Sequence, residues 1–257
     1  MCLITFAFNA HPNYRFILTA NRDEFYVRPT SPANWWEDHP EVFGGRDLHA
    51  MGTWMGIHKN GRFAAITNYR EIKNIKSGTK TRGNLTTDFL LGTDPPEAYA
   101  SKVQKKGDEY NGFNLIVLDQ EMAFAGNHSE GSYQLDFGIY GLSNALLDTP
   151  WPKVEKAKST FEYLIRKNFK LEDLIEMMDD TEAAADKSLP GTGLDYGREK
   201  AFSAMRIRTP DYGTCCTTAI RIDYEGNVEF MEKSYPVGDR LENTVNCQFK
   251  IAQNEHV

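Results

Sequence analysis

A chain of 257 residues, 40% of them hydrophobic, can bury a full core and suits one large domain over residues 1–257 better than two small ones. A formal net charge of −7, with the basic residues scattered, argues against a nucleic-acid partner. The four cysteines lack metal-ligand spacing, and no stretch has the form of a signal core or a membrane span, so the reading is a soluble, cytoplasmic protein with reduced thiols and no cofactor.

In chain order the first feature is Cys2, which opens the apolar run Cys2 to Phe8. If the initiator Met1 is trimmed, this one residue carries both a thiol and a free α-amine, and the amine can act as base for the thiol beside it. Their ordinary pKa values, about 7.7 to 8.0 and about 8.5, make that proton transfer cheap. The plain alternative is a small residue that begins a buried strand. A second apolar run, Phe16 to Ala20, stops abruptly in Asn21-Arg22-Asp23-Glu24. Such a tetrad alone reads as a solvated strand end. A hairpin from residue 2 to residue 24 would instead set it beside Cys2, where Arg22 could lower a thiol pKa and Asp23 could hold an ammonium.

Further along, Gly44-Gly45-Arg46-Asp47 reads as a solvated turn or a rim that binds an anionic group. Trp54 to His58 and Phe63 to Thr67 flank Lys59-Asn60-Gly61-Arg62, where Asn-Gly is a strong hairpin signal. Asn68 closes the second of these runs, either as a turn-initiating residue or as a donor for an oxyanion. Asn84 to Leu91 and Pro96 to Lys105 are short helices, the second with proline in its first turn. Phe113 to Leu118, Met122 to Ala125, Tyr133 to Phe137 and Ile139 to Leu142 read as antiparallel strands, and Asn144 follows them as a second carboxamide or a helix N-cap. Pro152 begins the clearest helix, Trp151 to Lys167, where Val154, Ala157, Phe161, Leu164 and Ile165 form one apolar stripe.

Leu171 to Met178 predicts another helix, and Asp179 to Gly197 loses periodicity and reads as a surface loop. Cys216 to Ile222, Val228 to Met231 and Val245 to Ile251 predict a final meander. Strands at the start, middle and end with helices between them point to an α+β layered sandwich, with the strand that begins at Cys2 central in its sheet. Trp54 and Trp151 read as core or cleft-lining aromatics. The six histidines form no ligand pattern, and their default is the surface.

The opening Met-Cys-Leu, the Asn21 to Glu24 tetrad, Gly44 to Asp47, Gly52-Thr53-Trp54, Gly61 to Glu71, Tyr140 to Asn144, Asp148 to Val154 and Tyr212-Gly213-Thr214 together resemble the NRDE family, which includes the eukaryotic transport and Golgi organization proteins. That resemblance implies an N-terminal-nucleophile hydrolase-like fold, a four-layer αββα sandwich of two antiparallel sheets between helices. It also implies a distant likeness to penicillin V acylases and conjugated bile acid hydrolases. Cys2, Arg22, Asp23, Asn68 and Asn144 occupy the places of those enzymes' catalytic residues, although Arg22 and Asp23 are adjacent where the enzymes have two residues between them. Arg46, Trp54 and Arg208 are the candidates for substrate contact, and the late arginine that the resemblance implies near the site is Arg206, Arg208 or neither. The activity so implied is cysteine-dependent hydrolysis of a linear amide in a small acylated amine. The alternative is a non-catalytic carrier or trafficking protein for haem or another apolar ligand, and either leaves room for a homo-oligomer.

Overall fold

The computed structural model describes residues 2–71, 75–238 and 241–252. In chain order its elements are β1 (Cys2–Phe8), β2 (Tyr14–Phe25), β3 (Thr30–Trp35), β4 (Val42–Asp47), β5 (Met55–His58), β6 (Phe63–Asn68), α1 (Gly83–Leu91) and α2 (Pro96–Lys105). Then come β7 (Phe113–Leu118), β8 (Met122–Gly126), β9 (Tyr133–Gln134), β10 (Gly138–Leu142), α3 (Pro152–Ile165), α4 (Leu171–Met177), α5 (Tyr196–Ala201), β11 (Tyr212–Asp223), β12 (Asn227–Ser234) and β13 (Asn243–Lys250). One sheet has the order β10-β1-β2-β11-β12-β13, the other runs from β3 to β9 in chain order, and the strand pairings are antiparallel. β1 therefore lies one strand in from an edge, paired on both sides, and β2 and β11 hold the middle.

Period-two alternation decides the layers. On β1, Ile4, Phe6 and Phe8 enter the core between the two sheets, while Leu3 and Ala7 face α3 and α4. On β2, Phe16, Leu18 and Ala20 enter the same inter-sheet core and Ile17 faces the helices. α1 and α2 cover the outer face of the second sheet with Leu85, Phe89, Tyr99 and Val103. The result is the αββα sandwich, each sheet buried on both faces.

Polar residues on the helix-facing side of β2 are there for a reason. Thr19 Oγ1 donates to the Leu174 carbonyl at 2.9 Å, and Asn21 Nδ2 donates to the Met178 and Met205 carbonyls at 3.0 and 2.9 Å. Carbonyls at the end of α4 and beyond it thereby find donors inside the protein. Asn21 serves the packing of a helix on a sheet.

Several local readings change in the fold. Gly44 to Asp47 is not a turn but the end of β4, because both glycines admit close packing that no side chain would allow. A Cβ on Gly44 would stand 2.6 Å from the Met55 carbonyl oxygen, and one on Gly45 would stand 2.3 Å from the Trp54 ring. The strand read as Tyr133 to Phe137 pairs only through Gln134, after which Leu135 turns into the inter-sheet core. Asn144 is no N-cap, since α3 begins at Pro152 with Trp151 preceding it. Within Asp179 to Gly197 the loop gives way to α5 at Tyr196, capped by Asp195 accepting from the Arg198 N–H at 3.0 Å. Of the histidines, His11 and His58 are half-buried, and burial lowers the pKa of each; His256 lies outside the described residues.

Candidate active site

Cys2 is the first residue of β1, and its register partner on β2 is Arg22. Residues directly opposite each other in an antiparallel pair share a face, so the thiol and the guanidinium project together from the same end of the sheet. They open onto a cleft of about 410 Å³ that Trp54 and Asn68 also line. The Arg22 guanidinium lies 4.1 Å from the centre of the Trp54 ring, and the Trp54 ring lies against Gly45. This is how a diglycine in β4 comes to support an arginine in the other sheet.

Asp23 is one residue further along β2 and so points to the opposite face. It is buried, its Oδ1 accepts from the Thr214 hydroxyl at 2.6 Å, and its carbonyl accepts from the Tyr212 hydroxyl at 3.0 Å. Arg22 and Asp23, adjacent on β2, both border the cleft, with the Asp23 carboxylate turned to Thr214. Glu24 returns to the cleft side, 3.9 Å from Arg22 and 3.8 Å from Arg28.

Asn68 ends β6 beside the cleft, and its carbonyl accepts from Asn144 Nδ2 at 2.7 Å. Asn144 itself is buried and does not line the cleft, while its neighbour Ser143 donates to the Cys2 carbonyl at 3.0 Å and accepts through its own carbonyl from Thr67 Oγ1 at 2.8 Å. The segment after β10 therefore ties the start of β1 to the end of β6. Two asparagines equivalent in sequence take different duties: one faces the cleft and the other holds the first in place.

Electrostatics agree with a site that is buried but not neutral. Burial pushes the Cys2 thiol up, and Asp23 adds to the rise, against lowering by Arg22. Burial likewise raises the Asp23 carboxyl, opposed by Lys153, the Thr214 hydroxyl and Arg22. A thiol held protonated in this way needs a base at the moment of attack.

Arg46 and Arg208 do not line the cleft. Arg46 forms a bidentate pair with Asp38 at 2.8 Å and lies 4.0 Å over the Trp36 ring, and Arg208 makes an isolated bridge to Gly213. Arg206 pairs with Asp179 and lies 3.6 Å over Tyr235. The cations that do line the cleft include Arg28, paired with Asp47 at 2.7 Å, and Arg82, whose Nη1 donates to the Gly112 carbonyl at 2.9 Å. Sequence reading missed both. A faint signal existed in Arg28 standing four residues after Glu24, and none that we can name pointed to Arg82. Trp151 lies beneath Arg70 at 4.8 Å, behind the strand ends. A second, more apolar chamber of about 680 Å³ shares Glu24, Arg28, Asn68 and Arg82 with the cleft and is walled by Phe25, Ile75, Leu194, Phe202 and Tyr212. Among the described residues no group of histidine, cysteine or carboxylate side chains is arranged to hold a metal, and no helix is long and apolar enough to cross a membrane.

The chain is 37% identical to the transport and Golgi organization protein 2 homolog of Bos taurus over 98% of this chain and 99% of the other. It is 37% identical to the Homo sapiens homolog over 91% and 93%, and 24% identical to the Drosophila melanogaster protein over 91% and 92%. Among solved structures it is similar to a conjugated bile acid hydrolase mutant from Clostridium perfringens, with a TM-score of 0.46 and 9% identity over 97% of each chain. It is also similar to the Caenorhabditis elegans ortholog of N-acylethanolamine-hydrolyzing acid amidase, with a TM-score of 0.42 and 11% identity over 85% of this chain and 92% of that one. The family model of transport and Golgi organisation 2 matches residues 1–236, and with it the chain belongs to that family.

Proposed function

We propose that this protein is a cysteine-dependent amidohydrolase of the N-terminal-nucleophile type, acting in the cytoplasm on a linear amide of a small acylated amine. The observation that carries this reading is the placement of Cys2 at the head of β1, level with Arg22 on a polar cleft that Asn68 and the buried Asp23 also border. After removal of Met1, the Cys2 amine accepts the thiol proton as sulfur attacks the substrate carbonyl. A carboxamide N–H of Asn68 then stabilises the oxyanion. The proton passes to the leaving nitrogen as the C–N bond breaks, and water attacks the thioester to release the acid and restore the thiol. Asp23 orients the amine, and Arg22 favours the thiolate while attack proceeds.

The first test is chemical and needs no substrate. Intact mass is expected to show a chain that begins at Cys2, and limited alkylation near neutral pH, followed by peptide mapping, is expected to label Cys2 before the other three thiols. Cys215 and Cys216 are buried and burial holds the Cys216 thiol far up, while Cys247 is half-buried without a base beside it. Equal labelling of all four, or a retained Met1, would remove the mechanism.

The asparagines give a second test once screening of acylated amines has found a substrate. Asn68→Ala is expected to lower kcat and kcat/KM together by about 10² or more, because the lost bond forms mainly in the transition state. Asn144→Ala is expected to cost about 1–3 kcal/mol of stability as well, since it leaves the Asn68 carbonyl short of its donor in a buried place. A fall in activity that merely tracks the folded fraction in both variants would return these residues to structural duty.

A carrier function is favoured by one observation, the apolar chamber that adjoins the cleft. Its haem form has a direct measurement: titration should give a saturable Soret shift that is lost on substitution of one named ligand, Cys2 or a histidine. Weak binding indifferent to every such substitution would leave the amidohydrolase reading standing.

A further inference from the structure

Lys153 takes the second position of α3, just after Pro152, a place where a lysine on a surface helix would ordinarily reach solvent. Here the residue is only 3% exposed, and its Nζ has no hydrogen-bond partner among the described residues. An ammonium so placed is expensive to bury, and a chain that keeps one there needs a compensating gain. Its neighbours supply the candidate. α3 packs on β1 and β10, with Val154 and Ala157 against Leu3, the residue after Cys2. The charged or titratable groups that act on Lys153 are Asp23 on β2, Arg70 beyond β6 and Cys2 on β1. Arg70, paired with Glu199 at 3.2 Å, disfavours a positive Lys153, whereas Asp23 and Cys2 favour it.

We infer that Lys153 is a positioning residue for the Cys2 nucleophile: its buried ammonium, set behind the ends of β1 and β2, keeps Asp23 ionised and draws the neighbouring thiol toward thiolate. Its part in catalysis rests on the amidohydrolase reading, whereas its action on the thiol does not. Two charges of opposite sign that share a low-dielectric region each hold the other in its ionised form, and no direct contact is required. Burial lowers the Lys153 pKa to about 8, with Asp23 and Cys2 opposing that fall, so the ammonium persists at neutral pH and is lost below the range to which burial raises the Cys2 thiol. Around Cys2 the other groups to consider are Arg22, Arg82, Tyr212 and Cys216, and none of them lies on α3. The sequence reading had included Lys153 in the stretch Asp148 to Val154 without assigning it a task.

The test compares one thiol across variants, so it is independent of any substrate. The rate of Cys2 alkylation by iodoacetamide is followed by peptide mapping from pH 6 to pH 10 in the full chain, for the wild type, Lys153→Met, Lys153→Gln, Lys153→Arg and Lys156→Met. Removing a nearby cation destabilises the thiolate only while the wild-type lysine is charged, so labelling of Lys153→Met and Lys153→Gln at pH 7 should slow about threefold, and the difference from wild type should shrink above about pH 8. Lys153→Arg should keep the wild-type rate at pH 7, since it keeps the positive charge. Lys156→Met removes a lysine of the same helix whose partners are Asp180 and Glu182, and should change nothing. Two neutral variants guard against one failing to fold, which thermal melting reports. A wild-type rate at pH 7 in either folded neutral variant overturns the inference, as does an Arg variant that slows like the neutral ones, because that would mark a packing role. Failure of the amidohydrolase reading would show elsewhere, as absent turnover in the wild type with this difference at pH 7 intact.

Discussion

Cys2→Ala is expected to abolish turnover of any amide that the wild-type protein hydrolyses, while leaving a folded chain. The mechanism has one nucleophile, and alanine can neither attack the carbonyl nor hold an acyl group. Charge complementarity in the cleft does not replace it, because Arg22 and Asn68 stabilise states that never form without the sulfur. The structural cost is small, since Cys2 is a half-buried residue at a strand end and β1 retains its pairings with both β10 and β2. We expect the melting temperature to stay within about 2–4 °C of wild type, the shift that about 1 kcal/mol produces in a chain of this size. Product formation measured against a wild-type control decides the matter. A folded variant that retains about a hundredth of the wild-type kcat/KM would move the nucleophile elsewhere, because loss of such a group costs far more than that.

Stability should respond most to a residue far from Cys2 in sequence. Glu199 on α5 is 5% exposed and accepts from Arg70 at 3.2 Å, from the Thr192 N–H at 2.9 Å and from the Thr192 hydroxyl at 2.8 Å. Arg70 is equally buried, and its backbone N–H donates to the Asn144 carbonyl at 2.7 Å, two residues past the carbonyl of Asn68 that Asn144 also holds. Glu199→Ala would strip a buried guanidinium of this carboxylate, a change that typically costs about 3–5 kcal/mol. Glu199→Gln should cost less, because an amide oxygen can still accept from Thr192 and Arg70. Denaturant unfolding measures both. If the alanine variant loses under about 1 kcal/mol, the pair is not holding α5 to the end of β6, and Arg70 must be stabilised by other means.

What the local sequence could show was whatever depends on neighbours a few residues apart. The hairpin at Asn60-Gly61 forms β5 and β6, with Gly61 at φ +94°, a conformation that glycine adopts without strain. α2 runs from Pro96 to Lys105 as its opening proline and the glycine after its end indicate, and the stripe on α3 buries Val154, Ala157, Phe161 and Ile165 as expected but leaves Leu164 half-buried. The pairing of Cys2 with Arg22 was legible for the same reason, since two apolar runs joined by a short connection can bring their far ends together.

What it could not show depends on elements that meet only in the fold. The glycines of β4 have little strand propensity, and they sit in a strand where Trp54 and Met55 close over backbone that a side chain would meet, while β3 is strand through its pairing with β4. The individual roles of Arg22 and Asp23 were open in the sequence, and the fold sends the two side chains to opposite faces of β2 while both residues border the cleft. Arg28 and Arg82 reach the cleft, and Arg46 turns to Asp38, through contacts between segments no short-range pattern links. Lys153 is the clearest case. A lysine in a first helical turn reads as solvated, and its burial behind Asp23 follows from α3 lying across β1 and β10. Burial, not residue type, decides what a charge can do there.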